Sequence, residues 1–205
     1  KPGGRKAHKA PTPLCGGVAV WLTTVLILAA GALILRYAGS HLPTDLAIHE
    51  RGLWSKGPLL GFIVGLGTII MLMGLADDRV GLSWQLRIGV QTALAIALTF
   101  AGVRISLFGP VNHPLIASTL TVLWIVGLTN SFNFLDNMDG LAAGVGMIAA
   151  LIFAAAQFEV ASLFVPVVLL VLAGALAGFL VHNKAPAKIF MGDAGAMFNG
   201  YSLAT

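Results

Sequence analysis

The chain alternates long apolar runs with short polar stretches, and the length of each run decides what it can form. A helix needs roughly 20 mainly apolar residues to cross about 30 Å of hydrocarbon. Six complete runs meet that rule, at about 16–36, 58–76, 86–103, 115–135, 141–158 and 161–181, and a seventh begins near 195. The run at 86–103 is the weakest, with Arg87 and Gln91 in its first turns. Between the runs, 1–15 is basic and broken by Pro2, Pro11 and Pro13, and 37–57 carries Asp45, Glu50, Arg51 and Lys56 around Pro43 and Gly52. Both read as loops, as do 77–85, 104–114, 136–140, 159–160 and 182–194. None is long enough to fold alone, and no repeat or low-complexity tract interrupts the pattern. The expected architecture is all-α: one integral membrane domain over 1–205, a polytopic helical bundle with six complete spans and a truncated seventh.

Composition agrees. Of 205 residues, 58% are apolar and 10% charged, with mean hydropathy +0.92, against about 25% charged in soluble domains. That excludes a soluble globule and a disordered chain. The net charge of +4 fits positively charged loops on one side of a membrane and gives no reason to infer nucleic-acid binding. A single cysteine, Cys15, excludes an internal disulfide and a cysteine-based zinc cluster. The chain starts at Lys1 without Met and stops at Thr205 within an apolar run, so it reads as a fragment.

Successive loops alternate sides. Lys1, Arg5, Lys6, Lys9, Arg79, Arg87, Lys184 and Lys188 fall on one side, and Arg36, Arg51, Lys56 and Arg104 on the other. Eight cations against four place the first side in the cytoplasm.

The acids sharpen the picture. Asp77, Asp78, Asp136, Asp139 and Asp193 all belong to the cytoplasmic set, each where an apolar run meets a loop. Carboxylates are costly in hydrocarbon and tend to be retained for function. The three groups are separated by pairs of spans, and an even number of crossings returns the chain to the same face. They can therefore converge on one polyanionic pocket. Oxygen donors of this kind suit Mg²⁺ or Mn²⁺, which take one or two carboxylates together with substrate phosphates. Arg79, Arg87, Lys184 and Lys188 suit phosphate charge. Together these groups suggest phosphoryl chemistry between a soluble nucleotide and a lipid.

Three segments carry most of the signal. Asp77-Asp78-Arg79 follows an apolar run. Asn130, Asn133, Asp136 and Asp139, at three-residue spacing, lie on one helical stripe at the end of another run. Gly192-Asp193-Ala194-Gly195 is a flexible turn whose amides can meet an anion and whose acid can meet a metal. Elsewhere, Gly61/Gly65 and Gly174/Gly178 read as close helix packing. Most of the four tryptophans fit interface or packing positions, His41, His49 and His113 read as inert, and His182 as an interfacial anchor.

These motifs resemble the polyprenyl-phosphate N-acetylhexosamine-1-phosphate transferase superfamily (glycosyltransferase family 4). The matching segments are Arg5 to Gly17, Gly74 to Arg79, Asn130 to Gly144 and Lys188 to Gly195, in order across nearly the whole chain. Within the superfamily the chain is most similar to bacterial undecaprenyl-phosphate GlcNAc-1-phosphate transferases, and less so to the muramoyl-pentapeptide transferase. The resemblance implies a multi-pass enzyme of the bacterial cytoplasmic membrane, with its active site facing the cytoplasm and often a homodimer. It would move a sugar 1-phosphate from a UDP-sugar to a polyprenyl phosphate with Mg²⁺, releasing UMP and starting cell-envelope glycan synthesis. Carried over by position, Asn133 and Asp193 would be the metal ligands. Asp77 and Asp78 would form the paired acidic motif that orients or deprotonates the lipid phosphate. Asp136 and Asp139 would contact the nucleotide or support the metal shell, and His8, Lys9, Arg87, Asn130 and Lys188 would bind substrate. Ala196 and Asn137 depart from the family pattern, which often has Ser and Gly there. The first span and the later His-rich loop of the family would lie outside 1–205.

Two readings outside the family compete. An intramembrane aspartyl protease would want a glycine two positions before Gly192, where Phe190 stands, and a Tyr-Asp pair, which is absent. A cation or proton transporter would want carboxylates at mid-bilayer depth rather than at run ends.

Overall fold

The computed structural model describes residues 12–38, 44–105, 113–158 and 163–205, and the side chains of all these except 38 and 44–53. Among these residues seven helices follow in order: α1 (Gly16–Ala38), α2 (Thr44–Val80), α3 (Trp84–Phe100), α4 (Pro114–Leu135), α5 (Leu141–Gln157), α6 (Phe164–Asn183) and α7 (Gly192–Ala204). Among the described residues there is no strand.

Every expected run becomes a helix, but the span count differs. Among the described residues four stretches are long and apolar enough to cross a membrane: Gly16–Tyr37, Trp54–Val80, Pro114–Leu135 and Phe164–Asn183. Helices α3 and α5 have 17 residues each, about 25 Å at 1.5 Å per residue, which is the lower limit for a span. Helix α2 also runs through residues that read as loop at both ends. It starts at Thr44 rather than near 58, contains Pro58, and carries Asp77, Asp78 and Arg79 in its final turns. Hydropathy reports where lipid contact begins, whereas backbone hydrogen bonding can continue through the polar residues at either end of an apolar run.

The short α7 is the structural centre. It packs chiefly on α2 and α4 and also meets α1 and α5, while α5 lies against α6, α6 against α1, and α3 against α4. Ten of its 13 residues are buried. Its two faces belong to different apolar clusters. Met191, Ala194 and Phe198 pack with Val20, Phe132, Leu172 and Leu176, whereas Met197 and Tyr201 pack with Leu66, Ile70, Leu98 and Ile125. Tyr201 donates its hydroxyl proton to the Ile63 carbonyl at 2.9 Å, and Trp21 ties α1 to α2 through Thr68 at 3.0 Å.

Burying a helix among four others requires backbones to approach closely. A Cβ on Gly74 would lie 2.6 Å from the Ala194 backbone, and one on Gly200 would lie 2.6 Å from the Leu128 carbonyl oxygen. Gly17 and Gly195 pack directly on one another. The expected packing pairs are different residues: around Gly61, Gly65, Gly174 and Gly178 a Cβ would meet nothing within 4 Å among the described residues. Spacing alone does not say which face of a helix is covered.

Candidate functional site

The site is built at the head of α7. Gly192 has φ +69°, a left-handed conformation that costs a Cβ-bearing residue. A Cβ there would also stand 2.6 Å from Asp78 Oδ2 and 3.0 Å from the Leu14 carbonyl oxygen. The chain just before α7 runs beside the start of α1. Phe190 N–H donates to the Pro13 carbonyl at 2.8 Å, Gly16 N–H to Phe190 at 3.0 Å and Gly17 N–H to Met191 at 2.9 Å. The Arg5 to Gly17 segment thus ends against the Lys188 to Gly195 segment.

The first amides of a helix lack internal partners and carry partial positive charge. Here carboxylates from two other segments accept them. Asp193 N–H donates to Asp78 Oδ1 at 2.9 Å and Ala194 N–H to Asp78 Oδ2 at 3.3 Å. Gly192 N–H donates to the Asp136 carboxylate. With its backbone held in this way, Asp193 directs its own side chain sideways. Asp193 Oδ1 accepts from Asn133 Nδ2 at 2.7 Å, and Oδ2 lies 3.8 Å from Arg87 Nη1.

Asp77, next to Asp78 on α2, turns the other way. Its Oδ2 pairs with Arg87 Nη1 at 2.6 Å and its Oδ1 accepts the Leu82 N–H at 2.6 Å. Arg87, on α3, therefore bridges the carboxylates of α2 and α7, and its Nε is buried without a partner. The helix macrodipole and these donors share the anionic load. Asp77, Asp78, Asn133, Asp136, Asp193 and Arg87 form one connected cluster drawn from α2, α3, α4 and α7.

The other expected residues have different partners. The polar stripe of α4 does not continue as a helix. The helix ends at Leu135, Asp136 follows as its C-cap, and the turn closes at Gly140, which has φ +76°. Asp139 is thereby carried away to accept the Ala187 N–H at 2.9 Å. Asn183, only 3% exposed, braces the same turn by accepting the Gly140 N–H at 3.0 Å and donating to the Ile189 carbonyl at 2.9 Å. Asn130 donates to Gln91 Oε1 at 2.5 Å and to the Val126 carbonyl at 2.7 Å. Lys188 is exposed in the loop before α7. His8 and Lys9 lie outside the described residues. Gln91 and Asn183 are contributors that the sequence reading did not assign. For Gln91 the available signal was a lone polar side chain in an apolar run.

Beside Arg87 a groove of about 370 Å³ runs between α3 and α4, lined by Trp84, Ile88, Val126, Gly127 and Phe134, with Arg87 and Asn130 supplying its polar groups. Among the described residues no three acidic, histidine or cysteine side chains form a ready cage for a metal ion.

Burial pushes the Asp136 carboxyl up to about 7, with the charges of Asp193 and Asp78 acting in the same direction and the Gly192 amide opposing them. The sign for stability follows directly. The fold binds this proton more tightly than the unfolded chain, whose value is 3.8, so the contribution is complete at pH below about 4 and lost as pH rises to 7. Melting temperature should therefore fall less over that interval for Asp136→Asn than for the wild type. Parallel slopes in a pH series of the two proteins would contradict the assignment.

Residues 60–205 match the family model described as glycosyl transferase family 4. The chain is 32% identical over 212 residues to the probable undecaprenyl-phosphate N-acetylglucosaminyl 1-phosphate transferase of Bacillus subtilis, covering 99% of this chain and 52% of that protein. It is 38% identical over 218 residues to the decaprenyl-phosphate N-acetylglucosaminephosphotransferase of Mycobacterium tuberculosis, covering 98% and 50%. A phospho-N-acetylmuramoyl-pentapeptide-transferase of Lactobacillus gasseri is 34% identical over 150 residues, covering 65% and 47%. The chain spans about half the length of these curated relatives.

Proposed function

Because the chain belongs to glycosyl transferase family 4, we propose that it is the part of a polyprenyl-phosphate GlcNAc-1-phosphate transferase that holds the reacting phosphates. The substrates are a UDP-sugar, taken as UDP-GlcNAc, and a polyprenyl phosphate; the products are polyprenyl-diphosphate-GlcNAc and UMP. One observation carries this reading: four helices bring Asp77, Asp193, Asn133 and Arg87 into one chain of contacts, and Arg87 also lines an apolar groove. That juxtaposition of cation, carboxylates and apolar channel suits an anionic lipid headgroup with its chain in the groove.

The residues divide the work. Arg87 offers a fork of donors, including the unpartnered Nε, to a phosphate oxygen. Asp77 fixes the guanidinium by its 2.6 Å ion pair. The lipid phosphate oxygen attacks the β-phosphorus of the UDP-sugar, forming the new P–O bond as the bond to UMP breaks. A phosphate monoester has its second pKa near 6, so it is largely dianionic at neutral pH and needs no strong base. Asp77 then serves to orient rather than to deprotonate.

The donor chemistry fits Mg²⁺. Asp193 and Asn133 supply one carboxylate and one amide side by side, and Mg²⁺ takes one or two carboxylates and completes its shell with water and substrate phosphates. When bound there, Mg²⁺ supplies charge neutralisation for the diphosphate and the departing UMP. The excess of Lys and Arg on the side bearing this cluster supports a cytoplasmic orientation.

The test is transfer of radiolabelled GlcNAc-1-phosphate from UDP-GlcNAc to undecaprenyl phosphate by the full-length protein, with Mg²⁺ and with a chelator. Labelled lipid only when Mg²⁺ is present is the expected result. Transfer from UDP-N-acetylmuramoyl-pentapeptide and not from UDP-GlcNAc would move the chain to the other branch of the family.

A further inference from the structure

Asp77 and Asp78 are neighbours in sequence, yet the structure gives them separate tasks. Asp77 faces Arg87, which lines the groove, and the Leu82 amide. Asp78 faces the backbone of α7, and each of its oxygens accepts an amide from that helix's first turn. Gly192 leaves room for this contact, since a Cβ there would fall 2.6 Å from Asp78 Oδ2. The amide that meets Asp78 Oδ1 is that of Asp193 itself. Asp78 therefore joins the end of α2 to the residue whose side chain meets Asn133 and Arg87.

We propose that Asp78 is a positioning residue, an N-terminal clamp from α2 that sets the depth and rotation of α7 and so aims the Asp193 carboxylate. What the clamp requires of residue 78 is a hydrogen-bond acceptor at the right reach; negative charge is secondary. This assignment rests on the transferase reading for its activity arm only.

The experiment compares Asp78→Asn with Asp78→Ala in the full-length protein. Asparagine keeps Oδ1 as an acceptor for the Asp193 amide and loses the weaker contact to Ala194, whereas alanine loses both. Misplacing a reacting group by about 1 Å costs about a hundredfold in rate. Expected results are a fall of about a hundredfold in kcat for Asp78→Ala and less than tenfold for Asp78→Asn, with KM for the UDP-sugar little changed in either. Hydrogen–deuterium exchange over 191–196 supplies a readout independent of turnover. It should quicken in Asp78→Ala and stay close to wild type in Asp78→Asn. Equal loss of kcat in both variants overturns the proposal, because it means that the charge itself is used; so does unchanged exchange in Asp78→Ala. If the wild type fails to transfer GlcNAc-1-phosphate, the functional reading fails instead, and the exchange comparison alone decides whether the clamp exists.

Discussion

Asp193→Asn in the full-length protein is expected to lower turnover by about a hundred- to a thousandfold, the range for removing one preorganised electrostatic group from a reacting site, while the protein still inserts and melts near the wild-type temperature. The contrast rests on what the substitution keeps. An asparagine amide has the same shape, its Oδ1 still accepts the Asn133 Nδ2 proton at the 2.7 Å contact, and the backbone amide at 193 still donates to Asp78. What it loses is the negative charge facing Arg87 and the ionised oxygen offered to a divalent cation. The Asp193 side chain is 35% exposed, so the remaining protein does not depend on that charge for burial. Transfer rate and melting temperature measured on one preparation decide the matter: a rate within tenfold of wild type would falsify the place given to Asp193.

The second large effect is expected at a residue with no chemistry. Gly74→Ala puts a methyl 2.6 Å from the Ala194 Cα and nitrogen and from the Asp193 carbonyl carbon. These are backbone atoms that cannot rotate aside, so α2 and α7 must separate. Overpacking of this kind typically costs about 1–3 kcal/mol, and here the displaced element begins with Asp193. Both melting temperature and kcat should fall, with kcat down by about a hundredfold for a shift near 1 Å. Gly61→Ala, on the same helix but with open space around it, serves as the control. Removing the entropy cost of a mid-helix glycine should leave it neutral or more stable by about 0.5–1 kcal/mol, at wild-type turnover. Equal behaviour of the two variants would mean that α7 is not seated as described.

Much of the arrangement was legible beforehand because it depends on local arithmetic. Apolar runs of sufficient length form helices here, and Asp77, Asp136 and Asp193 stand at run ends with two runs between one and the next, which permits them to meet. They do meet, through Gly192, Asn133 and Arg87. The stripe at Asn130, Asn133, Asp136 and Asp139 holds as a helix only to Leu135, because the chain turns before Gly140 at φ +76° and three-residue spacing there no longer means one face. The packing glycines were misassigned for a related reason. Gly61 and Gly65 have the spacing of a contact surface, but Gly74 and Gly200 are the positions that other backbones reach.

The amino-acid sequence by itself determined the helices, the apolar exterior and the presence of an acidic cluster, since each follows from the cost of placing polar groups in hydrocarbon, which is paid residue by residue. Only the tertiary structure decided that α7 is the buried centre, that Asp78 accepts its first amides while Asp77 pairs with Arg87, and that Asp139 accepts the Ala187 amide. Those outcomes depend on the rotation and depth of one helix against another. Close contacts between distant backbones set both, and hydrogen bonds that discriminate between adjacent carboxylates form only once those contacts are made.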